Sequence, residues 1–573
     1  MRDRALIAVV SALFILVGIG LFYNQILKHG YYFKLSRNNS IRIVPIDGPR
    51  GSIFDRTGKA LVTNRMSFDV KLVYQEINDR RKLAGILRDI LGMPSEKIVE
   101  SLEKAGARPY AGVTIAEDIP KEKAFVLEEA SCEVSGLHIE TRSKRDYILG
   151  MFGSHLFGYL SAITEEELER LKDEGYRITD LVGRGGLEKY YERELKGVDG
   201  GTQIEVDSRG RQTRVLGVKE PEAGKDLQIT IDASLQVAAD KLLGDRKGAI
   251  IAMDPSNGEI LAIASHPSFD PNIFVRPGTS RERLQLLNDK KGRPMSNKAI
   301  SGIYPPGSVF KVVVASAALD TKKIDAHSSF FCSGTYNLGR ASFDCWKAEG
   351  HGWQDVIRAL MNSCNIFFYN TGRIVGPDSI ESYAQRFGFG ALTGIDLPDE
   401  VRGLVPGRAW KRAHRKIPWY EGDTLNYSIG QGYLLVTPIQ VLNMIAVVAN
   451  NGNLVRPHIV RRVGGEEMPL VKSRPVGLDG NVIKIVREGL FEVVNNDAGT
   501  GKRAKVKGVA VAGKTGTAQN PQGRTHAWFC GFAPFERAKI CLVVLLEHGG
   551  KGGVEPAQIG QGFFEEAKRL GYL

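Results

Sequence analysis

An uncharged apolar segment near the N-terminus restricts the fold of this chain more than any other feature. No charged side chain occurs from Ala5 to Leu27, and a helix of that length can cross a hydrocarbon core about 30 Å thick. Tyr23 and Lys28 lie where interfacial anchors are expected. We therefore predict a short cytoplasmic tail and one transmembrane helix within residues 1–28.

A cleaved signal peptide is the alternative explanation for this segment. The apolar run is longer than the usual hydrophobic region of a signal peptide, and no convincing small-residue cleavage site follows it. The sequence therefore favours an uncleaved, single-pass anchor in the inner (cytoplasmic) membrane. Long domains that follow such an anchor are translocated largely regardless of flanking charge, so the chain after residue 30 is predicted to be periplasmic, or extracytoplasmic.

The composition indicates a folded protein of several domains. The chain has 43% hydrophobic and 25% charged residues, as folded proteins do. Its 573 residues are too many for a domain with a single hydrophobic core. The net charge is +12, but the basic residues are scattered and no zinc-finger, RRM or helix-turn-helix pattern occurs. A basic surface suits anionic lipid or an acidic polymer equally well. Charge alone identifies no partner, and no nucleic-acid partner is predicted.

The remainder of the chain is predicted to divide near residues 221–226, where the composition shifts. Residues 29–222 mix short β-branched runs with charged helical segments, which predicts an extended, mixed α/β domain. Residues 223–573 begin with a strand, a helix and a hairpin around Asp254, and they close with further strand-like runs. Helices flanking an antiparallel sheet are therefore predicted, in an α/β (α+β) domain.

Ser308 stands at the start of a mostly apolar stretch, with Lys311 three residues later. A stiff turn at residues 304–307 precedes it, and a buried helix is predicted from Ser308 to Leu319. The first turn of a helix stabilises an anion and a buried lysine loses its proton readily, so the pair could be a nucleophile and its base. An N-cap serine with a snorkelling lysine is an equally good explanation of the segment alone.

The Ser-x-x-Lys pattern is not specific by itself, because Ser101 and Lys104 also match it. Their segment is predicted to be an amphipathic helix, and we interpret this second match as a solvated helix face with a salt bridge.

Two later groups of residues complement Ser308. Ser363 and Asn365 supply a hydroxyl that can relay a proton and an amide that can orient a carbonyl. Residues 514–517, Lys-Thr-Gly-Thr, follow a β-like stretch. Their cation and hydroxyls suit a carboxylate, and their glycine permits close approach to the backbone. An edge strand that ends in a turn is the alternative for this last group.

Ser-x-x-Lys, Ser-x-Asn and Lys-Thr-Gly in this order are the signature of β-lactamases and penicillin-binding proteins. The segments YPPGSVFK, IGQGYLLVTPIQ and HAWFCGFAP are similar to the transpeptidases of that superfamily, and GPRGSIFDRTGKALVTN and VGRGGLEKYYERELKG resemble the N-terminal region of its class B members. The chain thus resembles class B penicillin-binding proteins over nearly its whole length, and among them those of rod elongation. The resemblance implies a pedestal (dimerisation-like) domain at 29–222 and a penicillin-recognising transpeptidase domain at 223–573.

The resemblance also implies a reaction, the cross-linking of peptidoglycan stem peptides at D-Ala-D-Ala, inhibited by β-lactams and needing no cofactor. Ser308 would form the acyl-enzyme, Lys311 would be the general base and Ser363 the proton relay. Backbone N–H groups of Ser308 and Thr517 would form the oxyanion hole. Asn365 would bind the peptide amide. The terminal carboxylate would be held at the third motif, Lys514, Thr515, Gly516 and Thr517.

Partners and alternatives follow from the same resemblance. The implied partners are the membrane, a SEDS-family glycan polymerase and scaffold proteins of the elongation complex. A septal transpeptidase is the nearest alternative, and a D,D-carboxypeptidase is less favoured. A β-lactam sensor is also less favoured, because a sensor would need a cytoplasmic signalling domain and only about four residues precede the anchor.

Three of the six cysteines cluster with a histidine around the second motif. A set of three thiols and one imidazole suits a closed, tetrahedral, structural zinc site. In an oxidising compartment a disulfide between Cys332 and Cys345, with Cys364 simply buried, is the alternative. The four candidate ligands are Cys332, Cys345, His351 and Cys364.

The assignment of the nucleophile predicts the outcome of labelling with a fluorescent penicillin. Ser308→Ala should abolish covalent labelling because it removes the acylated oxygen, whereas Ser101→Ala should label like the unmodified chain. Labelling that survives Ser308→Ala in a denaturing gel would disprove the assignment.

Overall fold

The computed structural model describes residues 2–107, 109, 112–207, 212–520 and 523–573. Within these residues the chain forms two compact units. The first unit comprises Met1–Arg50, Asn64–Lys144 and Lys196–Gly224, and the second comprises Gly51–Thr63, Arg145–Leu195 and Lys225–Leu573.

The elements are named here in chain order. The strands are β1 (Ile41–Ile46), β2 (Ile53–Phe54), β3 (Ala60–Leu72), β4 (Val113–Ile119), β5 (Leu137–Tyr147), β6 (Leu160–Ala162), β7 (Leu181–Gly183), β8 (Gly200–Val206), β9 (Gln212–Lys219), β10 (Leu227–Ile229), β11 (Gly248–Met253), β12 (Ile260–His266), β13 (Phe330–Cys332), β14 (Thr335–Leu338), β15 (Ala341–Asp344), β16 (Gly352–Gln354), β17 (Asn453–Leu454), β18 (Val460–Val463), β19 (Glu466–Glu467), β20 (Arg474–Pro475), β21 (Ala512–Ala518), β22 (His526–Ala533) and β23 (Ile540–Leu546). The α-helices are α1 (Arg2–Phe22), α2 (His29–Ser40), α3 (Arg80–Leu91), α4 (Ser95–Gly106), α5 (Lys121–Ser131), α6 (Ser154–Phe157), α7 (Glu165–Leu171), α8 (Gly186–Tyr190), α9 (Glu192–Leu195), α10 (Ala233–Leu243), α11 (Ser280–Asn288), α12 (Lys311–Asp320), α13 (Val356–Met361), α14 (Asn365–Val375), α15 (Pro377–Arg386), α16 (Arg408–Arg415), α17 (Glu421–Ser428), α18 (Pro438–Ala449), α19 (Gly480–Asn495) and α20 (Glu555–Arg569).

The two units divide the chain differently from the single boundary predicted near residue 222. Two segments of the predicted N-terminal domain, Gly51–Thr63 and Arg145–Leu195, belong to the second unit. The physical reason is burial, because Leu61, Leu156 and Leu187 are members of the main apolar core of that unit.

The N-terminal segment is helical, as its composition predicts. Helix α1 continues through a π-helical turn at Tyr23–Leu27, so that Arg2–Leu27 forms a helical segment of 26 residues with a mean hydropathy of 2.8 over its most apolar window. Its apolar side chains are exposed. The helix is therefore long and apolar enough to cross a membrane.

Helices α3, α4 and α5 of the first unit share an apolar core with residues of β3, β4 and β5, and β3 pairs with both β4 and β5. Ser101 and Lys104 lie in α4, a helix as predicted, but the side chain of Ser101 is not solvated as predicted. It is 8% exposed, and its hydroxyl donates to the Lys97 carbonyl at 2.7 Å. The predicted salt bridge exists, between Lys104 and Glu100 at 2.6 Å. This second Ser-x-x-Lys pair therefore stabilises a helix.

The second unit is built on an antiparallel sheet with the order β12-β11-β23-β22-β21. Side chains alternate between its faces, as the period of two requires. On β22, for example, Trp528 and Cys530 enter the core that also contains residues of α12 and α18, whereas Phe529 enters the core that contains residues of α10 and α20. The predicted α+β domain with helices flanking an antiparallel sheet is confirmed, and β21 forms one edge of the sheet.

A buried ion pair lies within the second unit. The Arg145 guanidinium donates to the Glu188 carboxylate at 2.6 Å and to the Gly51 carbonyl at 2.7 Å. The two side chains are 1% and 0% exposed. Removing one partner of such a pair leaves a charge buried without compensation.

We therefore expect Glu188→Leu to lower the unfolding free energy of the second unit by about 3–5 kcal/mol. The matched change at an exposed pair, Glu100→Leu, should have a much smaller effect, because solvent screens the attraction between these two charges. Pulse proteolysis in urea measures both values, and equal effects of the two substitutions would contradict the prediction.

Candidate active site

Ser308 lies in a short 3-10 turn, Gly307–Phe310, that leads directly into α12. The predicted continuous α-helix from Ser308 to Leu319 therefore begins three residues later, at Lys311. Pro306 and Phe310 occupy the N-cap positions of the two elements, and neither makes a side-chain capping hydrogen bond. Ser308 is thus not an N-cap residue, and Lys311 is buried and does not reach the solvent. The alternative of an N-cap serine with a snorkelling lysine therefore does not describe this segment.

Two glycines allow the Ser308 turn to lie directly against the edge strand β21. Gly307 has a φ of +56°, and a Cβ there would lie 2.8 Å from the Thr517 carbonyl oxygen. A Cβ at Gly516 would lie 2.9 Å from the Pro306 carbonyl oxygen. Side chains at either position would push the strand away from the turn.

The Lys311 amine is buried and hydrogen-bonded to the second motif. Its side chain is 0% exposed, and Nζ donates to the Ser363 carbonyl and to Asn365 Oδ1, at 2.8 Å each. Burial lowers the pKa of Lys311 to about 8, against the opposing effect of the nearby cysteine sulfurs. A neutral amine has two protons and one lone pair. These two contacts use both protons, so the lone pair remains free to accept a proton.

The Ser363 hydroxyl lies between two lysine amines. Lys514 Nζ donates to Ser363 Oγ at 3.0 Å, and Lys311 Nζ lies 3.4 Å from the same oxygen. Ser363 has a φ of +52°, a left-handed conformation that non-glycine residues seldom adopt and that concentrates at functional sites. The arrangement provides a hydroxyl bridge along which a proton can pass between the amines.

Lys514 is also fully buried. Burial lowers its pKa well below the usual range, and the nearby Lys311 amine lowers it further. The two cations repel each other in a dry environment, so the pair is stable with fewer than two charges.

The two hydroxyls of β21 differ in their surroundings. Thr515 is 6% exposed, and its hydroxyl donates to the Thr500 hydroxyl at 3.0 Å. Thr517 is exposed, and its oxygen accepts the Gly552 N–H at 3.2 Å, which leaves its own proton available to a ligand. Thr517 is therefore the hydroxyl that this structure presents to a carboxylate.

Sequence reasoning missed Thr500, which joins the second and third motifs. Its hydroxyl donates to the Met361 carbonyl at 3.2 Å while accepting from Thr515, and Met361 ends α13, two residues before Ser363. Thr500 therefore links β21 to the segment that carries Ser363. A threonine between two glycines in a loop has no sequence signal beyond turn chemistry.

The four predicted zinc ligands come together beside the second motif. Their ligand atoms all lie within 4.8 Å of one another, and the Sγ atoms of Cys332 and Cys345 are each 3.5 Å from His351 Nδ1. A tetrahedral zinc ion with ordinary bond lengths separates sulfur and nitrogen ligands by about 3.6 Å, so the residues fit the metal. All six cysteines are free thiols, which differs from the disulfide alternative.

Hydrogen bonds tie this thiol cluster to the second motif. The Asn365 backbone N–H donates to Cys345 Sγ at 3.4 Å, and Cys364 lies between Ser363 and Asn365 in the chain. The hydrogen bond from Cys364 lowers the pKa of the Cys345 thiol, and the same bond together with burial raises the pKa of Cys364. A thiolate in such a setting is suited to bind a metal.

Two family models match the chain. Residues 248–565 match the model described as the penicillin binding protein transpeptidase domain, and residues 45–229 match the penicillin-binding protein dimerisation domain.

Similar proteins and structures cover nearly the whole chain. The peptidoglycan D,D-transpeptidase MrdA of Acinetobacter baumannii is 34% identical over 95% of this chain and 84% of that protein. A complex between penicillin-binding protein 2 and MreC from Helicobacter pylori has a TM-score of 0.80 at 29% identity, covering 93% of this chain and 100% of that one. A peptidoglycan synthase complex that coordinates polymerization and crosslinking has a TM-score of 0.75 at 29% identity, covering 99% of this chain and 98% of that one.

The lowered pKa of Lys311 predicts a pH dependence of acylation by penicillin. Below about pH 8 the amine is protonated and cannot accept the Ser308 proton, so the second-order acylation rate should fall about tenfold per pH unit. Stopped-flow measurements with a fluorescent penicillin give this profile. Lys311→Arg, whose side chain stays charged, should acylate negligibly throughout, and a flat profile for the unmodified chain would contradict the role of Lys311.

Proposed function

The chain belongs to the penicillin-binding protein transpeptidase family, and on this premise we propose that Ser308, Lys311, Ser363 and Lys514 carry out its reaction. The chain is a peptidoglycan D,D-transpeptidase, a serine enzyme that acts on D-Ala-D-Ala. The observation that carries the assignment of residues is the chain of contacts from Lys311 through the Ser363 hydroxyl to Lys514.

Acylation consists of attack by Ser308, transfer of its proton and departure of the terminal D-alanine. Ser308 Oγ attacks the carbonyl between the two terminal D-alanines, and its proton passes to the Lys311 lone pair. The carbon–nitrogen bond then breaks, and the leaving D-alanine amine takes a proton through Ser363. Backbone N–H groups of Ser308 and Thr517 stabilise the negative oxygen of the tetrahedral intermediate.

Deacylation uses the same groups in reverse. The amine of a neighbouring stem peptide attacks the ester and loses a proton to Lys311, and the Ser308 oxygen leaves with a proton. Water in place of the amine gives carboxypeptidase activity, and a β-lactam leaves the serine blocked.

Thr517 and Lys514 hold the terminal carboxylate, with Thr515 and Gly516 shaping the strand beneath it, while Asn365 orients the peptide amide.

We further propose that Arg2–Leu27 anchors the protein in the cytoplasmic membrane with the two units outside it. The length and apolarity of the helix support the anchor. The partners proposed are a membrane glycan polymerase of the SEDS family and a scaffold protein of the elongation complex. The similarity to solved assemblies named for MreC and for coupled polymerization and crosslinking supports these partners.

A role in elongation predicts the shape of depleted cells. Cells that lose this enzyme should become round, because lateral wall synthesis stops while division continues, and the septal alternative predicts filaments instead. A plasmid copy should restore the shape, and a copy with Ser308→Ala should not. Microscopy after depletion decides between the two roles.

We also propose that Cys332, Cys345, His351 and Cys364 hold a structural zinc ion. The convergence of the four ligand atoms supports the proposal. The metal would fix the geometry of the loop around Ser363 and supply no chemistry to the reaction. Cys364 makes this connection direct, because its neighbours on both sides contact Lys311.

The zinc proposal predicts one zinc per chain by elemental analysis of the purified protein. Cys345→Ser should lose the zinc and slow acylation by penicillin, because the Ser363 loop loses its support. Cys132→Ser, at an exposed cysteine outside the cluster, should keep both. Absence of zinc together with one disulfide by thiol titration would refute the proposal.

A further inference from the structure

The thiol-bearing segment Phe330–Gln354 exposes large aromatic side chains. Phe331 and Trp353 lie directly opposite each other in the β13–β16 pair, with ring centroids 5.6 Å apart. They are 56% and 63% exposed. The neighbouring strand residue Cys332 is buried, so the pair stands on the outer face of this small sheet.

The distribution of tryptophans makes this exposure unusual within the chain. Of the five tryptophans, Trp528 is fully buried and Trp410 and Trp419 are half-buried. The two that are exposed by more than half, Trp346 and Trp353, both lie in Phe330–Gln354. Exposed apolar patches of this kind mark binding surfaces.

Trp346 connects the segment to the active site. It is 61% exposed, and its indole N–H donates to the Asn362 carbonyl at 2.9 Å, next to Ser363. The indole also makes an edge contact with the His351 ring, with ring centroids 5.1 Å apart, so this contact and the hydrogen bond together fix it. Trp346 therefore places one exposed aromatic side chain of Phe330–Gln354 beside Ser363.

The aromatic pair is also prearranged, and the segment that carries it has no net formal charge. Strand pairing holds Phe331 and Trp353, so little side-chain freedom is lost when a ligand binds. Within Phe330–Gln354 the charges of Arg340 and Lys347 balance those of Asp344 and Glu349. A neutral surface of aromatic faces suits a neutral ligand with flat C–H faces better than an anionic lipid or a charged peptide.

From these observations we propose that Phe331, Trp346 and Trp353 form a binding surface for the glycan strand of peptidoglycan. The proposal rests on the proposed function, because the stem peptide at Ser308 is attached to that glycan. N-acetylated sugar rings present C–H faces that stack on aromatic rings, and they are uncharged where the lactyl group carries a peptide. The surface would hold the strand from which the stem peptide enters the cleft.

The test measures binding of glycan strands whose stem peptides have been removed by an amidase and whose freed lactyl carboxylates have then been converted to neutral methylamides, using the full chain in detergent and isothermal titration calorimetry. Trp353→Ala should weaken binding about tenfold or more, and Trp353→Phe should keep most of it. Phe125→Ala removes a 58% exposed aromatic of the first unit and should have no effect. Acylation by penicillin should be unchanged in all three variants, which also shows that they are folded.

Three results would overturn the proposal. They are an absence of glycan binding by the unmodified chain, an equal loss in Phe125→Ala, and full binding by Trp353→Ala. Binding of phospholipid vesicles in place of glycan, lost in Trp353→Ala, would assign the surface to lipid and also overturn it. Failure of the proposed function is separate, because it appears as lost acylation by penicillin in the unmodified chain.

Discussion

The burial of the Lys311 amine is the interaction on which the rest of the site depends. Removing a cation from water is costly, and the protein offers the amine two neutral acceptors, the Ser363 carbonyl and Asn365 Oδ1, with no carboxylate among its hydrogen-bond partners in the described chain. Such surroundings favour the neutral amine. They also require the segment 363–365 to turn both acceptors toward one point, and helix α13 ends just before this segment while helix α14 begins at its last residue, Asn365.

Close backbone contacts complete this arrangement. The turn that carries Ser308 meets β21 where glycines occupy both sides, and Thr500 joins β21 to the end of α13. Three segments that are far apart in the chain thus meet through main-chain atoms and short hydroxyl contacts. Because protein interiors are densely packed, a shift in one of these segments is felt by the others.

Much of the fold and the site could be predicted from the sequence because each part has a local signal. The apolar N-terminal helix, the hairpin of β11 and β12, and the buried strands β22 and β23 follow from composition and periodicity, and the three motifs contain residues that the fold brings into contact. Three features have no such signal. They are the membership of Gly51–Thr63 and Arg145–Leu195 in the second unit, the inward hydroxyl of Thr515 and the burial of Ser101. They depend on tertiary packing. Thr515 bonds to a residue that is distant in the chain, and the burial of Ser101 depends on which face of its helix the assembled core covers.

The left-handed backbone of Ser363 has a consequence for the energetics of the reaction. A serine in this conformation costs about 1 kcal/mol or more, and the fold supplies that free energy when it forms. The hydroxyl is therefore already held between its two amines in the free chain, so the proposed proton transfer through Ser363 requires little reorganisation. Asparagine tolerates the same backbone better than serine but has no hydroxyl, so selection for stability alone would move this position away from the residue that the proposed chemistry needs.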